Sequence, residues 1–545
     1  MPDRSRSAPG FVFNGNGREV IAALEQAPFT RRHGLLLAAL LAALVFDYQK
    51  PATIGFVIPG MREMWGLSEA SAAYLPAAGM GGTVIGSVLW GFMADRVGRR
   101  AALLWTVGIF SIATLCGFAL AYWQSLLACF VMGFGVGGEI PVVFALASEY
   151  LPARLRGTAV LGLGIAGSMG GYALAAGTAA IVKAFYPEVH AWRLLWLVNL
   201  IPSVILILAL RSRIVPESAR YLLAQGRVQD ARAAAESLLG PIARTPAITE
   251  SWSIDGPRKE AVTSLRTPYG RVAALAFFAF GWGLANFGFL TWLPTLLGRL
   301  GYAGATASAY LALSALIGLP SLILTALLFS RWSTQGTLVV YAAGGALALL
   351  ALGAGASAGK LTPVLLVVAS ALAFFFIASI GGALPVYAAE VSPTAVRARQ
   401  TGIVAAAGRL GAIVGPYVGG IWLTGGGSVL GLQAFFAAGL IAAAGVLHMV
   451  GVETRGRTLE EITRFHWPGR FLKGGLVMRT IQLGVPTIKC EGCVETIRTA
   501  LTKRSGVQTV EGDPDRKDVT VTFDPGQLTE SEIRAAIAEA GFLVG

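Results

Sequence analysis

The chain has 545 residues, of which 55% are hydrophobic and 13% charged, and its mean hydropathy is +0.65. Soluble domains carry about 25% charged residues, so this composition excludes an ordinary soluble protein and indicates a membrane protein. The formal net charge of +13 does not require nucleic acid as a partner, because lysine and arginine collect on the cytoplasmic side of membrane proteins.

Residues 1–33 form a polar leader, expected in the cytoplasm. The apolar stretch that begins at Gly34 is too long for the core of a signal peptide, so it is predicted to be retained as a first span. A helix needs about 20 apolar residues to cross the hydrocarbon core. By this criterion residues 34–210 contain six spans, 211–271 form a polar cytoplasmic loop, and 272–451 contain six more. The predicted spans are 34–58, 70–92, 102–121, 125–147, 158–182, 193–210, 272–297, 306–329, 336–356, 362–388, 402–424 and 429–451.

The positive charges lie mainly in the loops on one side of these spans. With the N-terminus inside, the outer loops hold only Arg62, Lys183, Arg193, Arg299 and Lys360. The inner segments hold the many lysines and arginines of residues 211–271. They also hold Arg31, Arg32, Arg96, Arg99, Arg100, Arg154, Arg156, Arg331, Arg397, Arg399, Arg455 and Arg457. This bias is the one that the positive-inside rule demands, and it predicts a multi-pass plasma-membrane protein in a lipid bilayer with both termini cytoplasmic.

The two halves repeat a short pattern at the inner end of their fourth spans. Glu149-x-x-Pro152 is followed by two arginines and a glycine, and Glu390-x-x-Pro393 is followed by the same residue types. Parallel halves with a substrate path between them are the plan of one large class of secondary transporters.

The stretch from Gly91 to Arg100, "GFMADRVGRR", closely resembles the signature loop of the major facilitator superfamily. Three further stretches agree with its sugar-porter and metabolite:proton symporter branches: "GVGGEIP" from Gly135, "PESARYLL" from Pro216 and "ETRGRTLEEI" from Glu453. The resemblance implies an all-α fold of 12 transmembrane helices in two six-helix halves, which transports by alternating access. A Walker loop that would indicate ATP drive is missing from the sequence.

The resemblance also implies a gating role for the signature loop, through Gly91, Asp95, Arg96, Gly98, Arg99 and Arg100. The counterpart in the second half is "SRWSTQG" from Ser330, which has lost the acidic residue and most of the basic ones. No gating role is therefore carried onto it.

The composition changes after an amphipathic segment and linker at 452–475, and residues 476–545 are predicted to form a small soluble domain. The pattern predicts strand 476–485, a loop, helix 493–504, strands 507–511 and 519–523, helix 529–540 and a final strand 542–544. This order is βαββαβ, the α+β ferredoxin-like plan.

Cys490 and Cys493 form a C-x-x-C pair where the loop enters the first helix of this domain. The order of elements and the pair resemble the heavy-metal-associated domain, and the resemblance implies that both thiolates bind a metal. Two thiolates at a helix N-terminus suit a soft ion, Cu(I) or Hg(II). The alternative is a redox dithiol of the thioredoxin type, which would be expected in a larger βαβ domain.

Ionisable residues inside predicted spans are costly, which makes them functional candidates. Asp47 and Lys50 share a face of the first span, and Asp47 resembles a proton-coupling site; the alternative is an ion pair that only locks the bundle. Glu139, after a glycine run in the fourth span, is a candidate proton carrier, and the alternative is that it pairs with Arg409 of the eleventh span. The predicted transport and coupling residues are therefore Asp47, Lys50, Glu139 and Arg409.

Relatives of this kind often carry arginine ten residues before that glutamate, where this chain has Cys129. With Met132 one turn away and Cys116 in the neighbouring span, a sulfur-lined path for a soft metal is one interpretation, and packing is the other. The missing arginine argues against the usual proton coupling. Further candidates for lining a central cavity are Asn199, Asn286, Trp282, Phe287 and Trp292.

Two functions remain. The leading prediction is secondary active transport of copper or mercury, with the tail accepting or presenting the ion and a cytoplasmic metal donor or acceptor protein as a partner. The alternative is a proton-coupled symporter of an organic metabolite or drug whose tail senses metal. A scaffold anchored by the membrane part is disfavoured, because one helix would be sufficient as an anchor. Enzymatic activity is not expected, because the sequence offers no set of nucleophile, base and orienting residue.

Overall fold

The computed structural model describes residues 12–13, 16–211, 214–239, 252–253, 269–360, 362–392, 397–455, 479–488, 490–502, 504, 506–514, 517–523 and 528–543. In this part of the chain 12 helices are long and apolar enough to cross a membrane, which agrees with the predicted count. Spans 1 to 12 are, in order, Arg31–Trp65, Glu69–Val97, Arg99–Phe118, Tyr122–Tyr150, Leu155–Phe185, Glu188–Arg211, Gly270–Arg299, Gly304–Arg331, Thr334–Ser357, Pro363–Val391, Gln400–Thr424 and Val429–Val450.

The polar stretches outside the spans also contain helices. Helix Asn16–Gln26 lies in the leader, and helices Ala219–Ala224 and Val228–Leu239 lie in the central loop. Glu25 of the leader pairs with Arg220 of the central loop, with 2.6 Å between carboxylate and guanidinium. Leader and central loop are thereby tied together beside the first six spans.

Local signals in the sequence fix several helix ends. Span 1 begins after Thr30, whose side chain accepts a hydrogen bond from the backbone of His33, and it ends at Gly66 with a left-handed φ of 61°. Span 10 contains one π-helical turn, Phe374–Ala378, which is a common local deviation at functional sites.

Glycine allows two pairs of spans to touch at their backbones. A Cβ at Gly133 of span 4 would lie 1.8 Å from the carbonyl oxygen of Gly79 in span 2, and one at Gly411 of span 11 would lie 2.2 Å from that of Phe280 in span 7. Spans 2 and 4 therefore pack at a distance that only glycine permits, and so do spans 7 and 11.

The chain divides into two compact units, Met1–Phe465 and His466–Gly545. The second unit contains strand Arg479–Gly484, helix Glu491–Thr502, strands Val507–Asp513 and Asp518–Phe523, and helix Glu530–Glu539. Its antiparallel sheet has the third of these strands in the centre, paired with the other two. The predicted α+β unit is confirmed, except that residues 542 and 543 are outside any strand and 544 is outside the described residues.

The core of this domain is formed by one face of the sheet and one face of each helix. The side chains of Val519, Val521 and Phe523 are fully buried, as are those of Ile497 and Ile537 on the two helices. Of the predicted amphipathic segment and linker at 452–475, residues 456–475 fall outside the described residues.

Candidate transport site and metal site

Three ionisable side chains meet inside the first half of the bundle. Asp47 and Lys50 of span 1 and Glu139 of span 4 are all fully buried. The ammonium of Lys50 donates to the carbonyl oxygen of Phe46 at 3.2 Å and lies 3.9 Å from the centre of the Phe110 ring. Lys50 also interacts electrostatically with both carboxyl groups, which interact with each other. The structure thus brings together three of the four predicted coupling residues.

The carboxyl oxygens in this cluster have no hydrogen-bond donor among the described residues. All four oxygens of Asp47 and Glu139 are buried without a hydrogen-bond partner among the described residues. Buried polar groups are rarely left unpaired except where they are used, so this is a feature expected of a functional site.

Arg409, the fourth predicted residue, lies elsewhere. It makes no hydrogen bond or salt bridge with any described residue, so the proposed pairing with Glu139 is not formed. Its electrostatic neighbour is Tyr48 of span 1. Gly408, the residue before it, lies against Trp282, whose ring is 3.8 Å from a Cβ built at that glycine. Arg409 therefore lies near Tyr48, and the helix that carries it packs against Trp282.

Tyr48 and Trp282 line a cavity between the two halves. Spans 1, 5, 7 and 10 contribute its walls, and its volume is about 80 Å³. A cavity needs about 10–15 Å³ of such volume to hold one water, so this cavity has room for one small molecule. Of the predicted cavity residues, Trp282, Phe287 and Asn286 do line it, and Asn199 and Trp292 do not. The other aromatic residues of the wall are Tyr172 and Phe374.

A buried network of amide and hydroxyl side chains joins span 1 to span 6, and the sequence analysis did not predict it. Gln49 donates to the side-chain oxygen of Asn199 at 2.8 Å, and Asn199 donates to the hydroxyl of Thr53 at 3.0 Å. Asn199 thus links span 6 to span 1 and has a structural partner. The signal was present in the sequence, since Gln49 and Thr53 are polar residues one turn apart in an apolar helix.

The sulfur residues are packed into the core. Cys116, Cys129 and Met132 are all buried. The terminal methyl of Met132 and the backbone of Cys129 lie 3.5 and 3.6 Å from a Cβ built at Gly79, so both fill the contact between spans 4 and 2. No group of three or more His, Cys, Asp or Glu side chains among the described residues is arranged to hold a metal.

The signature loop contacts "PESARYLL", a motif more than a hundred residues away. The Glu217 carboxylate accepts hydrogen bonds from the backbone of Arg99 at 2.7 Å and of Arg100 at 3.2 Å. Gly98 has a φ of 99°, and a Cβ there would lie 2.4 Å from that carboxylate. Tyr221 donates to the carbonyl oxygen of Arg96 at 2.9 Å. Close contact with Glu217 thus explains the glycine at position 98.

The remaining loop residues have weaker or exposed contacts. Arg99 pairs with Asp95 at 2.9 Å, although the carboxylate is 71% exposed, and reaches Glu149 at 3.7 Å. Arg100 donates to the carbonyl oxygens of Leu210 and Arg211. A Cβ at Gly91 would have nothing within 4 Å.

The second half repeats this arrangement with different residues. Glu453 accepts from the backbone of Thr334 at 3.0 Å and from the hydroxyl of Ser333, at the start of span 9. Thr454 donates to Glu390 at 2.6 Å, just as Ser218 donates to Glu149 in the first half. Burial acts to raise the pKa of Glu453, but hydrogen bonds from Ser333, the Arg455 backbone and Thr334 outweigh it and hold the pKa below its usual value.

At the opposite end of the bundle, charged contacts join the halves. Glu69 of span 2 accepts from Arg299 of span 7 at 2.6 Å and from Arg62 of span 1 at 2.8 Å. The backbone of Ala70 donates to the hydroxyl of Thr424 in span 11 at 2.9 Å. This end, expected to face outside, is closed in the structure.

The two tail cysteines stand at the first turn of a helix. Their sulfur atoms are 3.5 Å apart, Cys490 is exposed, and no disulfide joins them. Ile488 just before them is fully buried in the core of the domain. Two thiols this close on an exposed helix N-terminus fit a shared soft ion.

The model of the major facilitator superfamily matches residues 35–416, and the heavy-metal-associated domain matches 482–542. The chain belongs to the major facilitator superfamily. Its facilitator part is that of a transporter, and its tail domain implies metal binding.

Relatives in the superfamily share most of this chain. The niacin transporter NiaP of Acinetobacter baylyi is 29% identical, over 82% of this chain and 99% of its own. The gallate transporter of Pseudomonas putida is 30% identical, over 77% and 94%, and the 4-hydroxybenzoate transporter PcaK of the same species is 27% identical, over 81% and 96%.

Solved structures show the same fold. The xylose transporter XylE from E. coli, in a partially occluded inward-open conformation, superposes with a TM-score of 0.61 at 18% identity, covering 79% of this chain and all of its own. These relatives carry organic molecules, so they give the leading prediction of metal transport no support and agree better with the organic alternative.

Proposed function

We propose that this facilitator is a proton-coupled carrier of a small aromatic or heteroaromatic acid, with a cytoplasmic tail that binds a soft metal ion. The observation that carries the proposal is Arg409, which has no hydrogen bond or salt bridge to a described residue and interacts electrostatically with Tyr48 in the wall of a cavity lined by aromatic rings. The substrates for which these relatives are named, niacin, gallate and 4-hydroxybenzoate, each combine a flat ring with a carboxyl group.

The aromatic wall supplies the first half of such a site. Tyr172 and Phe374 lie with ring centres 4.7 Å apart, and Trp282 and Phe287 with centres 6.2 Å apart at a near-perpendicular angle. A planar ring gains offset-stacked and edge-to-face contacts from such surfaces. Asn286 adds one polar side chain to the apolar lining, which is the usual way in which a pocket orients its ligand.

Arg409 supplies the second half. A guanidinium is always charged, and its planar fork matches a carboxylate at two points. An arginine in the middle of a span with no anionic partner among the described residues is costly unless an anion arrives to pair with it. A substrate carboxylate is such an anion.

Metal transport is less well supported. Cys116, Cys129 and Met132 are packing residues in the structure, and no cluster of metal ligands occurs in the described part of the spans. The metal function is therefore assigned to Cys490 and Cys493, which in this proposal sense a soft ion in the cytoplasm and adjust transport.

The test is uptake by proteoliposomes containing the purified full-length protein. Labelled nicotinate, 4-hydroxybenzoate and gallate are offered with a pH gradient, and binding is measured by competition. A hydrogen-bonded charge pair contributes about 1.5–3 kcal/mol, so Arg409→Gln is expected to weaken binding roughly 10- to 150-fold, whereas Arg409→Lys retains part of it. Arg331→Gln, which removes an exposed arginine at the end of span 8, is the matched control.

Failure of the wild-type protein to transport any of these acids would reject the proposal. The tail is tested in the same vesicles with Cys490→Ser/Cys493→Ser. This variant is expected to lose stoichiometric Cu(I) or Hg(II) binding and to keep transport, but to lose any response of transport to metal. Cys116→Ser/Cys129→Ser should leave metal binding unchanged. If wild-type protein instead moves the metal itself, metal carriage is restored as the function.

A further inference from the structure

The buried cluster of Asp47, Glu139 and Lys50 raises a question that the proposed function leaves open. Two carboxyl groups lie fully buried in the first half of the bundle, and the proposed function does not say how their charges are balanced. The cluster answers this, because Lys50 is a cation placed beside both carboxyl groups from span 1.

Among the described residues Lys50 has no other charged partner. Span 1 packs against spans 2, 4, 5, 6 and 7 and against helix Val228–Leu239, and of the described ionisable groups on these elements only Glu139 interacts electrostatically with Lys50, together with Asp47 on its own span. Tyr172 of span 5 is buried and carries no charge, and Arg409 of span 11 acts on Tyr48 instead. The ammonium is held in place by the Phe46 carbonyl and the Phe110 ring.

The charges of the cluster can be counted. Two ionised carboxylates and one ammonium would leave a net charge of −1, buried with none of the four carboxyl oxygens hydrogen bonded. An uncompensated buried charge is strongly unfavourable, whereas one bound proton makes the cluster neutral. When two carboxyl groups share such a site, they titrate as a pair rather than singly.

We infer that Asp47 and Glu139 together carry one exchangeable proton, and that Lys50 is the fixed counter-charge of the cluster. One carboxyl group holds the proton while the other pairs with Lys50. In transport the proton binds from the water on the outer side and is released to the water on the inner side when the cluster becomes hydrated there.

This inference rests on the proposed function and makes it more specific. A substrate carrying one negative charge, paired with Arg409, crosses together with one proton, so the net charge moved is zero. Accumulation should therefore follow the pH gradient and be independent of membrane potential. At equilibrium one pH unit should give up to a tenfold accumulation, since one pH unit is a factor of ten in proton activity.

The first measurement needs no substrate. Infrared spectra of purified protein at neutral pH report protonated carboxyl groups directly. Wild type should show one buried protonated carboxyl band, which disappears in both Asp47→Asn and Glu139→Gln because Lys50 then neutralises the remaining carboxylate. Lys50→Gln should show two such groups, and Lys50→Arg one. A wild-type protein without this band, or a Lys50→Gln protein with no gain, would overturn the inference even if no substrate is found.

The second measurement compares exchange with accumulation in proteoliposomes. Asp47→Asn, Glu139→Gln and Lys50→Gln should exchange substrate across the membrane but lose accumulation driven by the pH gradient, whereas Lys50→Arg should keep both. Clamping the potential with valinomycin and potassium should not alter wild-type accumulation. One-proton coupling would be refuted if Lys50→Gln accumulated substrate as wild type does. It would also be refuted if wild-type accumulation depended on membrane potential and rose well above tenfold per pH unit. A wild type that shows the infrared band but exchanges no acid would reject only the substrate.

Discussion

The Arg299→Gln variant removes the one described charge pair that crosses between the halves at the closed end of the bundle. Glu69 keeps its second cation, Arg62, which belongs to the same half as Glu69. The substitution therefore weakens the contact between halves without leaving the buried carboxylate unpaired. We expect it to shift the equilibrium towards the conformation that is open at this end.

The magnitude follows from the exposure of the two side chains. The Glu69 side chain is 9% exposed and that of Arg299 is 37% exposed. A charged pair with one partner this accessible is screened by water, so its contribution is about 1 kcal/mol rather than the several expected for a buried pair. Loss of about 1 kcal/mol changes a two-state equilibrium roughly fivefold.

Opening can be followed at a residue that the closed end covers. Ala73 is fully buried, and it would lie 2.9 Å from a Cβ built at Gly420 of the other half. In a background with Cys490→Ser and Cys493→Ser, an Ala73→Cys thiol is labelled by a membrane-impermeant maleimide only while this end is open. The labelling rate should rise about fivefold in Arg299→Gln, as the population ratio does.

Arg62→Gln is the matched control, because it removes the other cation of the same carboxylate without breaking a contact between halves. Its labelling rate should stay close to that of the parent. Equal acceleration by both substitutions would show that the loss of charge on Glu69, and not the bridge to span 7, controls opening. Unchanged labelling in Arg299→Gln would refute the gate.

Two further predictions concern the contacts at the inner end. Gly98→Ala should destabilise the purified protein by roughly 1–3 kcal/mol, because its φ of 99° is strained for alanine and the added Cβ meets Glu217; Gly91→Ala, with open space around it, should change the melting temperature little. Glu453→Gln should lower stability by about 1 kcal/mol at neutral pH, allowing for partial exposure. Since the folded-state pKa of Glu453 is depressed, this difference is fully present above the usual glutamate pKa and should vanish as pH falls through the lowered value. A melting difference that persists unchanged into acid would contradict that assignment.

The sequence predicted which ionisable residues belong to the site better than it predicted which residues they contact. Asp47, Lys50 and Glu139 could be selected as functional candidates because a charged side chain inside a membrane span is energetically costly. The spans themselves are recognised in the sequence by their length and hydrophobicity. That Glu139 faces Asp47 and not Arg409 depends on how span 4 packs against span 1, and spacing within one helix carries no such information. The same holds for Glu217, whose contact with the signature loop joins two motifs that the sequence separates by more than a hundred residues.

Some interpretations changed once the packing was known. Cys129 and Met132 have the chemistry of soft-metal ligands, but the same polarisable side chains fill gaps well, and the contact of the Met132 methyl group with Gly79 favours packing. Metal carriage was inferred from the tail domain, whereas the facilitator part has a cavity of its own that is lined by aromatic rings.

The amino-acid sequence by itself determined the membrane class, the twelve spans, the repeated halves and the tail domain with its cysteine pair. These depend on hydrophobic length, charge in the loops and local periodicity, all of which are properties of short segments. Only the tertiary structure decided which ionisable groups share one buried space, which aromatic rings enclose a cavity, and which end of the bundle is closed. Each of these depends on side chains from different helices meeting, and the distances between helices are set by packing that no single segment specifies.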